Sequence, residues 1–392
     1  MFRRPRVLVV HSKVEAHGGG CSVLAWSLQA LQHDYDVTLL ASAPWDAAAL
    51  NRYYGTSIEP AAIGSLIYSA AGRILRLDPD PSTIQPNCYL MRKAKGLRSR
   101  FDCAFGTDNE TDLGPPALQY VHYPHLAHVY PKVRHNLDLP PASKLAACLR
   151  GSIRPWMLMA NFSFDRMCRN RTLVNSDWTG RWVQRVYGVE CHTVNPPAAG
   201  EFPDTPWEKR EDGFVLVGRL AVGKRIPWCI DVLGQVRRLY PGLRLHIVGS
   251  ASRAPYDAGD AARIAGAIRR NSSWVTFHDN IPRAAVAPLL ATQKYGLHAM
   301  VDEHFGIGVA EMVRAGCIPF VHNSGGPPGI AGNDPRLTYE TAAEAVEKIV
   351  RVLREPALQA NLVSNLAPRK ALYCPERFMD SIRGHVNQMM RR

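Results

Sequence analysis

The stretch from Leu297 to Ile330 restricts the possible fold more than any other part of the chain. An apolar start at Leu297 leads to two acids, Asp302 and Glu303, and then to a turn containing Gly306. From Gly306 the spacing of Ile307, Val309, Ala310 and Val313 predicts a helix with one buried face, ended by Gly316. Ile318–Val321 reads as a short buried strand, and His322–Pro327 as a polar, glycine-containing loop at that strand's end. Such a unit belongs in an α/β sheet. It brings a helix N-terminus close to two carboxylates, Glu303 before the helix and Glu311 on it. Free N–H groups suit anionic phosphate, and carboxylates suit sugar hydroxyls. The combination fits a nucleotide-sugar site.

The rest of the chain supplies the surrounding α/β architecture. Val7–Val10 reads as a strand, His11–Gly20 as a loop and Val23–Leu31 as an amphipathic helix, with Asp36–Leu40 the next strand. This is a βαβ start with Gly18, Gly19 and Gly20 just before the helix. The dinucleotide fingerprint G-x-G-x-x-G fails, because Val23 stands where the third glycine belongs. Phe214–Arg219 starts a second α/β unit, with strands at Leu243–Val248 and Val275–Phe277. Ala342–Leu353 and Glu376–Met390 read as amphipathic helices. A length of 392 residues allows two domains, each with its own core. The boundaries expected are 1–194 for a first domain, 195–212 for a Pro- and Glu-rich linker and 213–375 for a second, with a further helix over 376–392.

Composition excludes several classes. Hydrophobic content of 46% with 21% charged residues is that of a globular enzyme. Apolar runs are too short for a membrane span, and the N-terminus lacks a secretory apolar region. The 9 cysteines are scattered without a C-x-x-C pair, which favours a reducing cytosol over a disulfide framework or zinc site. Net charge is +13, but the excess is spread along the chain, so no nucleic-acid face is expected. Acidic substrates or an anionic membrane surface remain compatible with it.

Three further features carry chemistry. Met91–Arg100 holds Arg92, Lys93, Lys95, Arg98 and Arg100 with no acid. It reads either as a solvated helix face or as a landing site for a lipid diphosphate or anionic headgroups. Trp156–Met159, next to Arg154, would supply either an apolar wedge beside it or ordinary core. His122 falls at the carboxyl end of a strand that ends near Pro124, where open α/β sheets place ligand groups. The spacing His122, His125, His128 also admits a metal reading, but no acid or cysteine pattern supports it. Asp78-Pro79-Asp80 formally matches a metal-binding D-x-D, although its prolines favour a turn. No cofactor and no essential metal are expected.

These strings resemble a known family. Glu303 and Glu311 resemble the E-x7-E motif of retaining GT-B glycosyltransferases of family 4. The run His304-Phe305-Gly306-Ile307-Gly308 through Gly325-Gly326-Pro327 is similar to the Alg11-like group of eukaryotic α-1,2-mannosyltransferases, which extend lipid-linked oligosaccharides. V-H-Y-P at Val121–Pro124 and N-S-x-W-T at Asn175–Thr179 resemble the same group. The resemblance implies two Rossmann-like domains facing a central cleft, 1–194 for the acceptor and 213–375 for the nucleotide sugar, with the helix of 376–392 crossing back to the first domain. It implies that Glu311 binds ribose hydroxyls and that Glu303 contacts the transferred sugar. Arg219 and Lys224 would hold the diphosphate, with N–H groups near Phe305, Gly306, Ile307 and Gly308, and with Gly19 and Gly20 nearby. His122 would sit at the sugar's reacting face. The implied reaction is retaining transfer of a hexose, mannose favoured, from a nucleotide diphosphate sugar to a glycan or lipid-linked acceptor. The enzyme would be cytoplasmic or peripheral on a membrane's cytoplasmic face. The chain departs from the pattern at Pro327–Gly332, and an N-terminal anchor like that of the group is not expected. Those departures leave open a UDP-sugar donor with a soluble or polysaccharide acceptor, or a non-catalytic nucleotide-sugar-binding protein.

Overall fold

A computed structural model describes residues 3–16, 18–68, 84–115, 117–129, 153–250 and 258–391. It divides into two units, Met1–Pro196 with Phe378–Arg392, and Pro197–Arg377. Asp78-Pro79-Asp80 and the side chain of His128 lie outside the described residues.

The first unit is built on seven strands, all paired in parallel: β1 (Arg6–Val10), β2 (Asp36–Ala41), β3 (Ile63–Ile67), β4 (Cys103–Gly106), β5 (Ala117–Val121), β6 (Arg171–Val174) and β7 (Cys191–Thr193). Their order across the sheet is β3-β2-β1-β4-β5-β6-β7. Val7, Leu8, Val9 and Val10 are all buried, as a central strand covered on both faces requires. The helix Gly19–Leu31 follows β1, and the helix Asp177–Tyr187 follows β6. Ser176 caps the latter by accepting from Thr179 N, and Gly188 ends it at φ 70°. The spacing rules do not predict β3, β4 or β7, which are short and lack a clear pattern.

The last helix, Pro375–Met390, packs on the first unit from Phe378 onward. Phe378, Ile382 and Val386 recur every fourth residue and are 2%, 0% and 0% exposed. Tyr35 Oη donates to Asn387 at 2.6 Å, and Arg171 Nε to His385 Nδ1 at 2.7 Å.

The second unit carries six strands in the order β10-β9-β8-β11-β12-β13, again all parallel. They are β8 (Glu211–Val217), β9 (Arg244–Gly249), β10 (Val275–Asp279), β11 (Gln293–His298), β12 (Ile318–His322) and β13 (Thr338–Tyr339). Of residues 195–212, expected to be linker, those from Pro197 belong to this unit. Ala198 and Ala199 are buried, Ala198 N donates to Tyr373 O at 3.0 Å, and Arg314 donates to the Ala198 carbonyl.

Candidate active site

In the second unit the strand order reverses between β8 and β11, because the chain runs outward through β9 and β10 before returning. The carboxyl ends of two such strands form the crevice where open α/β sheets hold ligands. Gly218, Arg219 and Lys224 follow β8, and His298 ends β11, five residues before Glu303. Topology therefore brings together residues that the sequence keeps far apart.

Lys224 Nζ donates to Glu303 Oε2, with both side chains mostly buried. On the same oxygen, His298 Nε2 approaches to 3.3 Å from a ring that is 3% exposed. Burial alone would raise the Glu303 carboxyl, but His298 and Lys224 outweigh it and hold the group well below the usual carboxylate range. Burial holds His298 below its ordinary value, so its ring is neutral at pH 7 and can donate one N–H to the carboxylate. Tyr339 Oη donates to the His298 carbonyl at 2.8 Å and stacks on Trp228, 5.4 Å away, which lies under the Arg225 guanidinium. Arg219 is exposed, and its side chain makes no ion pair or hydrogen bond among the described residues.

The backbone at Glu303 is held by the glycine loop after β12. Gly325 has φ +77°, and a Cβ there would stand 2.2 Å from Glu303 O. Gly326 N donates to the same carbonyl at 2.8 Å. Ser324 Oγ accepts from Asp302 N at 2.7 Å. Glu303 is thus placed by residues more than twenty positions downstream.

The helix Ile307–Ala315 starts at Gly306, at φ 98°, with no side-chain cap on its first turn. Ile307 and Gly308 therefore offer N–H groups that the helix itself does not use. Gly308 sits against β8, where a Cβ would come within 2.6 Å of Val217 O. Phe305 is buried and faces Tyr373 at 6.0 Å between centroids. Glu311 is 2% exposed within this helix.

In the first unit the reversal lies between β1 and β4. His11, directly after β1, sits 2.8 Å from Thr107 Oγ1 and 3.4 Å from Asp108 Oδ1 through Nδ1. Its Nε2 is 3.5 Å from Cys21 Sγ. Burial alone would lower the imidazole, but the Asp108 carboxylate outweighs it and pushes the group up to about 9. Asp108 also accepts from Ser12 N at 2.6 Å and from the Ser12 hydroxyl. His122 follows β5, with Nε2 3.0 Å from Thr107 O, and burial lowers it to about 4. Gly20 is its neighbour: a Cβ there would stand 3.7 Å from His122 Nε2. Gly19 and Gly20 open the helix Gly19–Leu31.

The five cations of Met91–Arg100 do not share one face. Lys95 turns inward, donating to Asp112 Oδ2 at 2.8 Å, Ala160 O at 2.8 Å and Asn161 O at 2.7 Å. All three of its N–H donors are used, so Lys95 anchors the helix Ile84–Leu97 and cannot serve a surface. Arg98 donates to the carbonyls of Phe101 and Asp102. Lys93 lies over Tyr68 and Tyr89, 5.1 and 5.4 Å from their centroids. Arg92 and Arg100 are exposed. Trp156 and Met157 pack on the core, whereas Leu158 is 81% exposed and Met159 38%. Among the described residues, no group of three or more His, Cys, Asp and Glu side chains converges as a metal site.

Sequence reasoning missed His298, His11 and Asp108. His298 and His11 each stand at a strand's carboxyl end, the signal that singled out His122.

The family model described as "Glycosyl transferases group 1" matches residues 200–367. A human protein named GDP-Man:Man(3)GlcNAc(2)-PP-Dol alpha-1,2-mannosyltransferase is 32% identical over 178 residues, covering 41% of this chain and 35% of the relative. The Xenopus tropicalis protein of that name is 51% identical over 174 residues, with the same coverage of 41% and 35%. The chain thus spans well under half the length of these curated relatives. Among solved structures, Anabaena HepE in complex with UDP and glucose superposes with a TM-score of 0.66 at 14% identity, covering 98% of this chain and 100% of that one. Sucrose-phosphate synthase from Thermosynechococcus elongatus superposes with a TM-score of 0.68 at 14% identity, covering 98% and 99%. At such identities the likeness concerns the fold, which is GT-B: two Rossmann-like domains, each on a parallel sheet.

Proposed function

Because residues 200–367 form a glycosyltransferase group 1 domain on a GT-B fold, we propose that the chain is a retaining glycosyltransferase. Its donor is a nucleotide diphosphate hexose, GDP-mannose first, and its acceptor a lipid-linked or other glycan. The observation that carries this reading is Glu303, kept ionised by Lys224 and His298 beside the free start of the helix Ile307–Ala315. Lys224, Arg219 and the N–H groups of Ile307 and Gly308 take the diphosphate. Glu311, buried on the same helix, takes the ribose hydroxyls. Glu303 faces the sugar, where a fixed negative charge favours the positive charge that develops at the anomeric carbon.

The acceptor hydroxyl attacks that carbon from the face of the departing diphosphate. Its oxygen bonds to the anomeric carbon while the carbon–phosphate-oxygen bond breaks, and its proton passes to the leaving oxygen. No carboxylate nucleophile is needed, unlike the paired acids of retaining hydrolases. In this reading His122, neutral and close to Gly20, contacts the sugar or acceptor, and no metal takes part.

No helix among the described residues is long and apolar enough to cross a membrane. Contact with a membrane surface is proposed to use Leu158 and Met159, with Arg154 beside them. The names of the curated relatives support mannose and a lipid-linked acceptor.

The deciding experiment screens GDP-, UDP-, ADP- and dTDP-sugars by thermal shift, then follows transfer of the best one. A donor at 100 times its Kd adds about 2.7 kcal/mol of stability. NMR of the product should show the donor's anomeric configuration. If none of the sugars stabilises the chain or is consumed, the proposal fails.

A further inference from the structure

At the amino ends of the second sheet, opposite Lys224 and Glu303, two cations converge without an acid. Arg210 immediately precedes β8, and Lys370 lies in the short helix Ala367–Tyr373. Both crowd Gly316, the residue at φ +83° that ends the helix Ile307–Ala315. A Cβ there would stand 2.9 Å from Arg210 Nη2 and 3.2 Å from Lys370 Nζ. The missing side chain leaves the two charged groups facing one bare backbone position.

Arg210 is 7% exposed. Its Nε donates to Thr205 O at 3.0 Å and its Nη1 to Gln293 O at 3.4 Å. Nη2 has no partner among the described residues and is open to solvent. Lys370 is half-buried, and its ammonium likewise makes no hydrogen bond or ion pair among the described residues. Glu211, the acid next to Arg210 in the chain, accepts instead from Gln293 Nε2 at 3.2 Å. Cys317 does not supply the missing anion: burial pushes its thiol up to about 12, against the pull of both cations, so it is neutral at pH 7. The helix end carries only about half a negative charge, which two whole positive charges exceed. A buried guanidinium with an unused N–H beside an ammonium costs free energy that an anionic acceptor would recover.

We propose that Arg210 Nη2 and Lys370 Nζ form an oxyanion site for a phosphate group. A phosphate dianion balances both charges and accepts from both nitrogens, whereas a carboxylate balances one. The site lies at the other end of the helix from the N–H groups assigned to the donor, and it does not rest on the transfer chemistry. Arg210 follows Pro197 and Lys370 precedes Arg377, so the anion would tie together the two segments by which the chain enters and leaves this unit.

The test titrates the isotope-labelled full chain with inorganic phosphate and reads the amide signals of Gly316 and Cys317 by NMR. Phosphate should shift both signals to saturation, and acetate should bind tenfold or more weakly. Lys370→Gln should weaken phosphate tenfold or more, and Lys370→Arg should restore it. Lys224→Ala should leave the response unchanged, so a failed donor assignment does not decide this test. Vesicles containing phosphatidic acid separate the sources of phosphate. Sedimentation of the parent chain that Lys370→Gln removes assigns the site to a lipid headgroup, and any other result assigns it to soluble phosphate. The proposal is overturned if phosphate leaves both signals unmoved or shifts them without saturating. It is overturned equally if Lys370→Gln binds as the parent chain does, if acetate binds as well as phosphate, or if Lys224→Ala abolishes the response.

Discussion

Lys224 and Glu303, 79 residues apart, are joined by a hydrogen bond between their charged groups. The ammonium assigned to the diphosphate and the carboxylate assigned to the sugar therefore hold one another in position. Removing either leaves the other in a mostly buried site with a changed charge balance.

Lys224→Ala should weaken nucleoside-diphosphate binding by about 1.5–3 kcal/mol, the scale of one charged hydrogen bond. Glu303→Gln should lower kcat with little change in donor KM, because its contact strengthens as charge develops at the anomeric carbon. Glu311→Gln should instead raise the donor KM, ribose contacts being nearly equal in ground and transition states. Steady-state kinetics with varied donor separate these outcomes. Additive free energies for the Lys224 and Glu303 double variant would argue against the observed pairing, since contacting residues couple by about 0.5–3 kcal/mol.

Gly325→Ala should act on Glu303 without touching it chemically. The new Cβ would meet Glu303 O at 2.2 Å on a backbone at φ +77°, so the Glu303 segment must shift. Turnover should fall toward that of Glu303→Gln, with a lowered but cooperative melting transition. A variant with unchanged kcat would show that this close approach does not set the carboxylate's position.

Stability should depend on pH through two buried histidines of the first unit with opposite signs. His11 is raised from 6.5 to about 9, so its contribution is complete below pH 6.5 and is lost as pH rises through 9. His122 is lowered from 6.5 to about 4, so its contribution is present above pH 6.5 and is lost as pH falls through 4. His385, also lowered to about 4, adds to the acid limb. Urea unfolding from pH 4 to 10 should flatten on the alkaline side in His11→Asn and on the acid side in His122→Asn. Identical profiles for the parent chain and both variants would refute these assignments.

Transfer should survive excess EDTA, because cations of the chain itself are assigned to the diphosphate. Activity that vanishes with EDTA and returns with Mn²⁺ would require a metal in the mechanism.

Leu158→Asp should reduce sedimentation with anionic vesicles while leaving donor binding unchanged. Leu158 is 81% exposed, so the substitution costs the fold little. Equal vesicle binding by the two proteins would remove the proposed membrane contact.

What could be read from the sequence was local. The helix Ile307–Ala315 and its stop at Gly316 follow from side-chain spacing and from a glycine at φ 83°. The strand at Ile318 and the βαβ start follow equally from short apolar runs whose period reveals their burial. The string from His304 to Pro327 carried the resemblance because its residues act within one turn–helix–strand unit. The cations of Met91–Arg100 looked alike in sequence, yet Lys95 is spent on Asp112 and two carbonyls, a difference set by what packs beside the helix. The tertiary structure alone decided that Lys224 and His298 meet Glu303 and that His11 meets Asp108. The physical reason is the parallel sheet: it sets the carboxyl ends of strands distant in the chain side by side, and burial there makes each pairing of charges count.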